Sequence, residues 1–189
     1  MFGPILQGEH IRLVPLTPEM LPVYVQWFSD TEVTRYMGRP FPPTLAQEHE
    51  WFERVTKSDT DLLWAIMAED RHIGSTGIHD IQWRSRRAIT GNLIGDKSAW
   101  GKGYGSEAVR LRTRYAFQEL GLEKLETEVF MENAGSRRCL EKSGYRQYGV
   151  RRRHEFRDGR WHDFWIADIL RDEWVAAQEA AATMFKDEE

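Results

Sequence analysis

The stretch Leu93–Leu120, LIGDKSAWGKGYGSEAVRLRTRYAFQEL, decides the fold of this chain. An apolar run ends at residues 93–95, a glycine-rich loop covers residues 100–106, and apolar residues then recur at helical spacing from Glu107 to Leu120. Glycine allows backbone conformations in which successive N–H groups point inward, and a helix N-terminus adds unpaired donors with a partial positive charge. The order of strand, glycine loop and helix therefore predicts a site for a phosphate group.

Three kinds of phosphate ligand are candidates for this loop. A nucleoside-triphosphate loop requires Gly-Lys followed by Ser or Thr, and neither sequence occurs in the chain. The dinucleotide pattern G-x-G-x-x-A is met by Gly103, Gly105 and Ala108, but residues 96–101 separate it from the strand. The acidic residue expected about 20 residues further on is also missing from the end of the next strand. The third interpretation is a pyrophosphate loop for coenzyme A.

Two motifs resemble those of the GNAT acyltransferase family. Gly103-Tyr104-Gly105 fills the glycine positions of its loop motif [Q/R]-x-x-G-x-[G/A], and Trp100 stands at the Gln/Arg position. The run WGKGYGSEA is similar to the RimJ/RimL-like branch, the ribosomal-protein N-terminal acetyltransferases. The run from Asn133 to Tyr145 resembles the family's N-x-x-[S/A]-x-R-x-[L/Y]-E-K-x-G-[F/Y]. This resemblance extends from Glu9 to about Trp174 and implies an acetyl-CoA-dependent N-acetyltransferase.

The length and composition favour one domain. We assign residues 1–189 to a single N-acetyltransferase domain, with a core at about 9–174 and a C-terminal helix and tail at 175–189. The net charge of -4 argues against a general attraction to nucleic acid, and the single cysteine excludes an internal disulfide. No apolar segment has membrane-spanning length and the N-terminus lacks a signal-peptide pattern, so we expect a cytoplasmic protein without a membrane partner.

The order of predicted elements indicates an α/β protein with a mixed sheet and helices on both faces. Strands are predicted at 9–15, 62–68, 73–82, 88–95, 124–131, 145–156 and 160–170. Helices are predicted from Thr17 to about 28, from Asp30 or Thr31 to near 38, from Thr44 to about 57, at 107–120, at 134–142 and from Asp172 onward. Residues 39–43 are predicted to form a rigid proline loop. The order is that of the GNAT fold, whose central sheet is mostly antiparallel, and the family shapes its acceptor pocket from the helices and loop that follow the first strand.

The resemblance also implies which residues bind the cofactor. The pyrophosphate would be held by the loop, which comprises Trp100, Gly101, Lys102, Gly103, Tyr104, Gly105 and Ser106. The pantetheine would lie like an added strand along the main chain of Leu93, Ile94 and Gly95, which would also polarise the thioester carbonyl. That arrangement requires the two central strands to splay apart. In the second motif, Asn133, Arg138 and Lys142 would contribute, although a helix cap and a solvated basic face explain these residues equally well.

The catalytic residues are less clearly marked. Many family members place a tyrosine acid before Glu-Lys, but this chain has Leu140 there. In the RimJ/RimL-like branch a serine three residues after the asparagine can protonate the leaving thiolate instead, and the resemblance implies that role for Ser136. Alternatively, Ser136 is an ordinary residue in the first turn of a helix. Residues 88–92 carry no carboxylate where family members often have a base, and Glu155 is the expected substitute. Neighbouring arginines would depress the pKa of Glu155. His79 and His154 are further candidates for the base, and the histidine spacing indicates no metal site.

The sequence leaves the acceptor and partners open. We expect a primary amine, above all an α-amine of a protein N-terminus or an amino acid; the alternatives are a polyamine or other small amine, or a catalytically silent acyl-CoA-binding module. Nine Lys and Arg residues against three acidic residues in 137–160 fit either a contact with RNA or the ribosome or a solvated strand edge. A homodimer through the aromatic hairpin at Trp161–Trp165 is also compatible with the sequence.

Overall fold

The computed structural model describes residues 1–38 and 41–186, with side chains to residue 183. The strands are β1 (Leu6–Gln7), β2 (Ile11–Val14), β3 (Leu62–Ala68), β4 (Arg71–Gln82), β5 (Arg87–Ile94), β6 (Lys124–Phe130), β7 (Arg146–Arg157) and β8 (Arg160–Leu170). The helices are α1 (Leu21–Phe28), α2 (Thr31–Thr34), α3 (Leu45–Thr56), α4 (Tyr104–Gln118), α5 (Ala134–Glu141) and α6 (Arg171–Lys186). Part of the predicted proline loop, at residues 39 and 40, and the tail at 187–189 lie outside this description.

The described strands form one sheet in the order β1-β2-β3-β4-β5-β6-β8-β7. The β5–β6 pair is parallel, and the other neighbouring pairs are antiparallel. The central strand β3 shows why helices cover both faces. Its Trp64 and Ile66 pack with α4 on one face, whereas Leu63 and Ala65 pack with α1 and α3 on the other. The predicted mixed, mostly antiparallel sheet with helices on both faces is confirmed.

Most predicted helix boundaries agree with the structure, and the differences have local causes. The capping box of Thr44 and Gln47 begins α3. Helix α4 begins three residues before the predicted Glu107 because Gly103, with φ +85°, supplies the turn into it. Thr17 occupies the predicted N-cap position before Pro18, but its side chain makes no capping bond and the turn that it begins is a 3-10 turn, Pro18–Met20, which precedes α1.

The β7–β8 hairpin follows from its turn residues. Asp158 and Gly159 both have positive φ, +51° and +73°, as a tight two-residue hairpin requires. The aromatic residues after this turn divide between two environments. Trp165 is 1% exposed in the core, whereas Trp161 is 52% exposed and packs edge-on against Phe156. The hairpin thus contributes to the core at one end and to the surface at the other.

Strands β5 and β6 separate soon after they pair. Their parallel pairing joins residues 87–89 to residues 124–126, although β5 continues to Ile94 and β6 to Phe130. Two threonines bridge the strands where the ladder ends. The Thr90 hydroxyl donates to the Glu126 carbonyl at 3.2 Å, and the Thr127 hydroxyl donates to the Thr90 carbonyl at 3.2 Å. The splay that the family resemblance requires is therefore present.

A buried arginine of α4 lies at the same point. Arg112 is 0% exposed, and its guanidinium donates to the Thr76 hydroxyl at 2.8 Å and to the Gly91 carbonyl at 2.6 Å. A longer bond of 3.4 Å reaches the Tyr145 hydroxyl, which is 3.2 Å from Thr90 Oγ1. These bonds connect α4, β4, β5 and the start of β7 where the strands diverge.

Removing the Thr90 hydroxyl should weaken this junction. We expect Thr90→Val, which preserves the branched shape, to lower the free energy of unfolding by about 1–3 kcal/mol, because it removes the hydroxyl that bonds to the part-buried Glu126 carbonyl. Thr113→Val is the matched control, since the buried Thr113 hydroxyl has no partner in the described part of the chain. Urea unfolding of both variants checks the expectation. Equal stabilities would show that the Thr90 bonds do not support the junction.

Candidate active site

The glycine loop forms an open cradle of N–H groups. Gly101 and Gly103 have φ of +75° and +85°, and a Cβ built on either would meet no atom within 4 Å. Within the described residues the amides of 101–106 bond to no acceptor, and the first bonded amide is that of Glu107, which donates to the Gly103 carbonyl at 3.1 Å. The cradle lies at the N-terminus of the 15-residue helix α4, where the helix dipole favours an anion. These features fit the pyrophosphate of coenzyme A.

Two side chains hold the cradle from outside. The Trp100 indole N–H donates to the Ile94 carbonyl at 2.8 Å, so this side chain closes the end of β5. Glu107 is buried, and its Oε1 accepts from the amides of Glu9 at 2.6 Å and His10 at 3.0 Å. The loop motif predicts a cofactor-binding role for Trp100 and none for Glu107. The available signal for Glu107 was an acidic residue in the first turn of a helix, where the helix dipole favours it.

Close packing explains the glycine at 95, whereas a side chain at 105 would make only ordinary contacts. The Gly95 amide donates to the Ile73 carbonyl at 2.9 Å, and a Cβ at Gly95 would lie 2.1 Å from Trp27. A Cβ at Gly105 would contact Asn92 at 3.4 Å and Cys139 at 3.6 Å. At neither position would a Cβ project into the open side of the cradle. Leu93 and Ile94, in contrast, lie on the part of β5 that has separated from β6.

Helix α5 begins beside this gap. Asn133 is its N-cap and accepts from the Ser136 amide at 3.1 Å, which confirms the predicted cap. Ser136 is half-buried, and its hydroxyl bonds to no residue that the structure describes. Leu140, at the position where a tyrosine was considered, is 4% exposed in the core. The side chain of Ser143 links α5 to α4 by donating to the Cys139 carbonyl at 2.9 Å and the Ser106 carbonyl at 3.4 Å.

Basic side chains gather where α4 meets α5. Arg138 and Lys142 are exposed, as predicted for a basic face, and Arg110 of α4 is exposed too. Burial raises the pKa of the Cys139 thiol, while the positive charges of Arg112, Arg110 and Lys142 oppose that rise. Cys139 is therefore a thiol at neutral pH, which argues against a role as nucleophile.

A cavity of about 290 Å³ lies on the face of the sheet that is opposite to α4. It is formed by α1, α3 and the central strands, and reaches the segment of β5 that borders the gap. It is lined by Tyr24, Phe28, Met37, Glu48, Trp51, Leu63, Ser75, Thr76, Gly77, His79, Gly91, Asn92 and Leu93. Another cavity, of about 400 Å³, lies on the outer side of α4 and touches neither β5 nor the loop. The first cavity therefore has the position that an acceptor pocket requires.

The candidate bases differ in their relation to this cavity. His79 lines it, and Glu155 and His154 do not. The Glu155 carboxylate pairs with Arg157, whose guanidinium also donates to the carbonyls of Arg35 and Met37. The His154 ring packs against Phe164, with centroids 4.6 Å apart. The structure thus brings one of the named candidates to the cavity.

Four of the nine basic residues in segment 137–160 form ion pairs, three of them with acids from elsewhere in the chain. Its ion pairs are Arg146–Glu173, Arg151–Glu128, Arg157–Glu155 and Arg160–Glu132. These pairs reduce the local positive charge and favour a solvated strand edge over an RNA contact. The described helices include none that is long and apolar enough to cross a membrane. No group of potential metal ligands occurs among the described residues.

Comparisons with known proteins agree with this geometry. A family model for the acetyltransferase (GNAT) domain matches residues 10–146. The uncharacterized N-acetyltransferase p20 of Bacillus licheniformis is 30% identical over 90% of this chain and 98% of its own length. A crystal structure of a GCN5-related N-acetyltransferase from Brucella melitensis is 25% identical, with a TM-score of 0.77 over 95% of this chain and 84% of that one.

Another solved structure shows a likeness of fold alone. The spermidine N-acetyltransferase of Vibrio cholerae, in complex with CoA and spermine, has a TM-score of 0.83 and an identity of 18%. The match covers 89% of this chain and 99% of that one. At this identity it supports the architecture and carries no inference about the acceptor.

Substitution of Gly103 should test the cradle. We expect Gly103→Val to lower the affinity for CoA at least tenfold, or about 1.4 kcal/mol, because its side chain would project into the open cradle. Gly159→Val is the matched control: Gly159 also has positive φ and open surroundings, but it lies in the β7–β8 turn. Isothermal calorimetry with CoA measures both variants once folding is verified by circular dichroism. Equal affinities would contradict the pyrophosphate assignment.

Proposed function

The chain belongs to the GNAT acetyltransferase family and is an acetyl-CoA-dependent N-acetyltransferase, and we propose that it acetylates an α-amine of a protein N-terminus or an amino acid. The main support for the proposal is that the gap between β5 and β6 and the 290 Å³ cavity both border β5. The loop follows the end of β5, the gap runs along the free edge of that strand, and the cavity is lined by its residues Gly91, Asn92 and Leu93. A thioester in the gap and an amine in the cavity would approach each other across the same strand.

The residues present fit acetyl-CoA. The amides of 101–106 would bind the pyrophosphate, and the open edge at Leu93 and Ile94 would accept the pantetheine. Arg138 and Lys142 would add positive charge near the phosphates. Acetyl-CoA supplies an activated acetyl group as a thioester. Gly95 and Trp100 would shape the site by packing and by closing the end of β5.

Direct attack by the amine suits this site better than a covalent enzyme intermediate. The nucleophile would be the amine nitrogen, because the one cysteine nearby has a raised pKa and lies inside α5. Ser136 would protonate the leaving thiolate from the first turn of α5. Its hydroxyl is free of protein partners in the described part of the chain, so it can serve a substrate atom.

The choice of an α-amine follows from proton chemistry. An α-amine has a pKa of about 8, so roughly a tenth of it is neutral at pH 7, whereas an amine with a pKa near 10.4 is neutral only to about one part in 2,500. The described lining of the cavity offers no carboxylate on β5 as a strong base. Such a site accepts an α-amine more readily than a lysine side chain or a polyamine. A polyamine or another small amine is the alternative acceptor.

The finer assignments are proposals that rest on sequence. These are the RimJ/RimL-like branch, the cytoplasmic location, a homodimer and a contact with the ribosome. The last has the least support, because four arginines of the basic segment already pair with acids. The division into one domain is compatible with the single sheet that runs through the described chain.

Ser136→Ala should impair the chemical step and leave CoA affinity unchanged. We expect kcat to fall roughly 100- to 10,000-fold, because the hydroxyl acts on a charge that develops late in the reaction. The helix cap should survive, since Asn133 bonds to the Ser136 amide rather than to its side chain. Ser136→Thr retains a hydroxyl and serves as the control. A loss below about threefold, measured by thiol release, would return Ser136 to a structural role.

Acceptor specificity tests the second half of the proposal. We expect kcat/KM for peptides with a free α-amine to exceed that for spermidine and for Nα-acetyl-lysine amide at pH 7 by at least about tenfold, as their neutral fractions suggest. Thiol release with a panel of these amines measures it. Efficient turnover of spermidine with the α-amino peptides inert would refute the choice of acceptor and leave the acetyltransferase assignment intact.

A further inference from the structure

His79 projects from β4 over two glycines at the floor of the cavity. A Cβ built at Gly77 would lie 2.7 Å from its Nε2, and one built at Gly91 would lie 3.4 Å away. A Cβ at Gly77 would clash with this nitrogen, whereas one at Gly91 would come into ordinary van der Waals contact with it. The glycines of two adjacent strands therefore leave room around Nε2 on the side where the cavity meets β5.

The other ring nitrogen of His79 has a carboxylate partner. Nδ1 lies 3.3 Å from Oδ1 of Asp61, and the Ser58 hydroxyl donates to the second oxygen of that carboxylate at 2.7 Å. An ionised carboxylate only accepts hydrogen bonds, so Nδ1 carries the proton and Nε2 has the free lone pair. A base oriented by a third group is the arrangement that proton transfer requires.

A second histidine with a carboxylate partner shows the contrast. His162 Nδ1 lies 3.0 Å from Glu132, but its Nε2 lies 3.2 Å from the Arg157 carbonyl. Both nitrogens of His162 are therefore occupied within the protein. His79 differs because its Nε2 faces the cavity with no hydrogen-bond partner in the described part of the chain.

We propose that His79 is the general base that deprotonates the acceptor ammonium through Nε2, with Asp61 as its positioning residue. The inference rests on the proposed function, because it places the amine in the cavity. One N–H proton passes to Nε2, and the nitrogen lone pair then forms the C–N bond with the thioester carbon. The C–S bond breaks, the second N–H proton ends on the thiol sulfur, and His79 returns its proton to water.

The surroundings keep the imidazole neutral. Burial lowers the pKa of His79, the charge of Asp61 opposes this effect, and Arg112 on the other face of the sheet adds to it. The other titratable groups at the cavity are Glu48 of α3 and Tyr24 of α1. At pH 7 the base is therefore ready to accept a proton. It is also weak, so it suits an α-ammonium of pKa about 8 better than a lysine ammonium near 10.4.

The pH dependence separates this mechanism from uptake of an already neutral amine. With His79 as base and the ammonium as reactant, kcat/KM rises as pH increases through the lowered pKa of His79 and falls again above the pKa of the amine, near 8 for a peptide. Without a base, the rise follows the pKa of the amine, near 8 for a peptide. We expect the first profile for the wild type and the second for His79→Gln. The kcat/KM of His79→Gln at pH 7 should also be roughly 100-fold or more below that of the wild type.

The experiment uses the full chain and alanyl-alanine amide as the acceptor, with thiol release measured from about pH 5.5 to 9. Asp61→Asn should move the rise to lower pH, because it removes the charge that raises the pKa of His79. His49→Gln, an exposed histidine of α3, should match the wild type. CoA affinity by calorimetry should be equal in all variants. A wild-type profile in His79→Gln, or a displaced rise in Glu155→Gln instead, would overturn the proposal.

Nitrogen-15 NMR of the histidine rings tests the inference without turnover. We expect the Nδ1–H tautomer for His79, a pKa below its ordinary value, and a further decrease in Asp61→Asn. An Nε2–H tautomer or an unchanged pKa in Asp61→Asn would contradict it. If the wild type acetylates no amine, the proposed function fails together with the general-base role, whereas unchanged turnover of an amine in His79→Gln removes the general-base role alone. Should His79→Gln not fold, His79→Asn takes its place in the activity measurements.

Discussion

The separation of β5 from β6 is the constraint on which the rest of the structure depends. Parallel strands that part inside a protein leave backbone groups without ladder partners, which is costly if those groups are buried. Here Thr90 and Thr127 continue the bridging through their hydroxyls, and Arg112 bonds to the Gly91 carbonyl. The described hydrogen bonds of the buried Arg112 guanidinium all go to hydroxyl or carbonyl oxygens. Polar side chains thus satisfy the backbone groups at the point of divergence, while β5 beyond residue 91 keeps an open edge.

Electrostatics at the start of α4 keeps the cradle available to an anion. An acidic residue in the first turn is favoured by the helix dipole, but it would compete with a phosphate if it faced the loop. Glu107 avoids this conflict because its carboxylate turns away and binds the amides of residues 9 and 10. The same contact holds the β1–β2 turn against the helix. The loop amides consequently stay unbonded while the helix remains anchored.

The proposed acid and base approach the reacting atoms from different elements. Ser136 belongs to the first turn of α5 beside the gap, and His79 belongs to β4 within the cavity. Each is placed by a polar contact of its own: Asn133 caps the turn that contains Ser136, and Asp61 bonds to His79. An amine between them could lose one proton to the cavity side while the thiolate gains another on the gap side. This division requires no covalent enzyme intermediate.

Features that arise from neighbouring residues can be predicted from the amino-acid sequence alone. The glycine loop, the capping box of α3, the Asn133 cap and the Asp158-Gly159 turn each depend on contacts within a few positions, and the structure contains all of them. The two-residue strand β1 was missed because so short a segment has no periodicity. Only the tertiary structure decided the splay, the use of Trp100 as a closure for β5, and the pairing of His79 with Asp61. These depend on contacts such as Thr90 with Glu126, 36 positions apart, whose hydrogen bonds are set by strand order and register rather than by any local pattern.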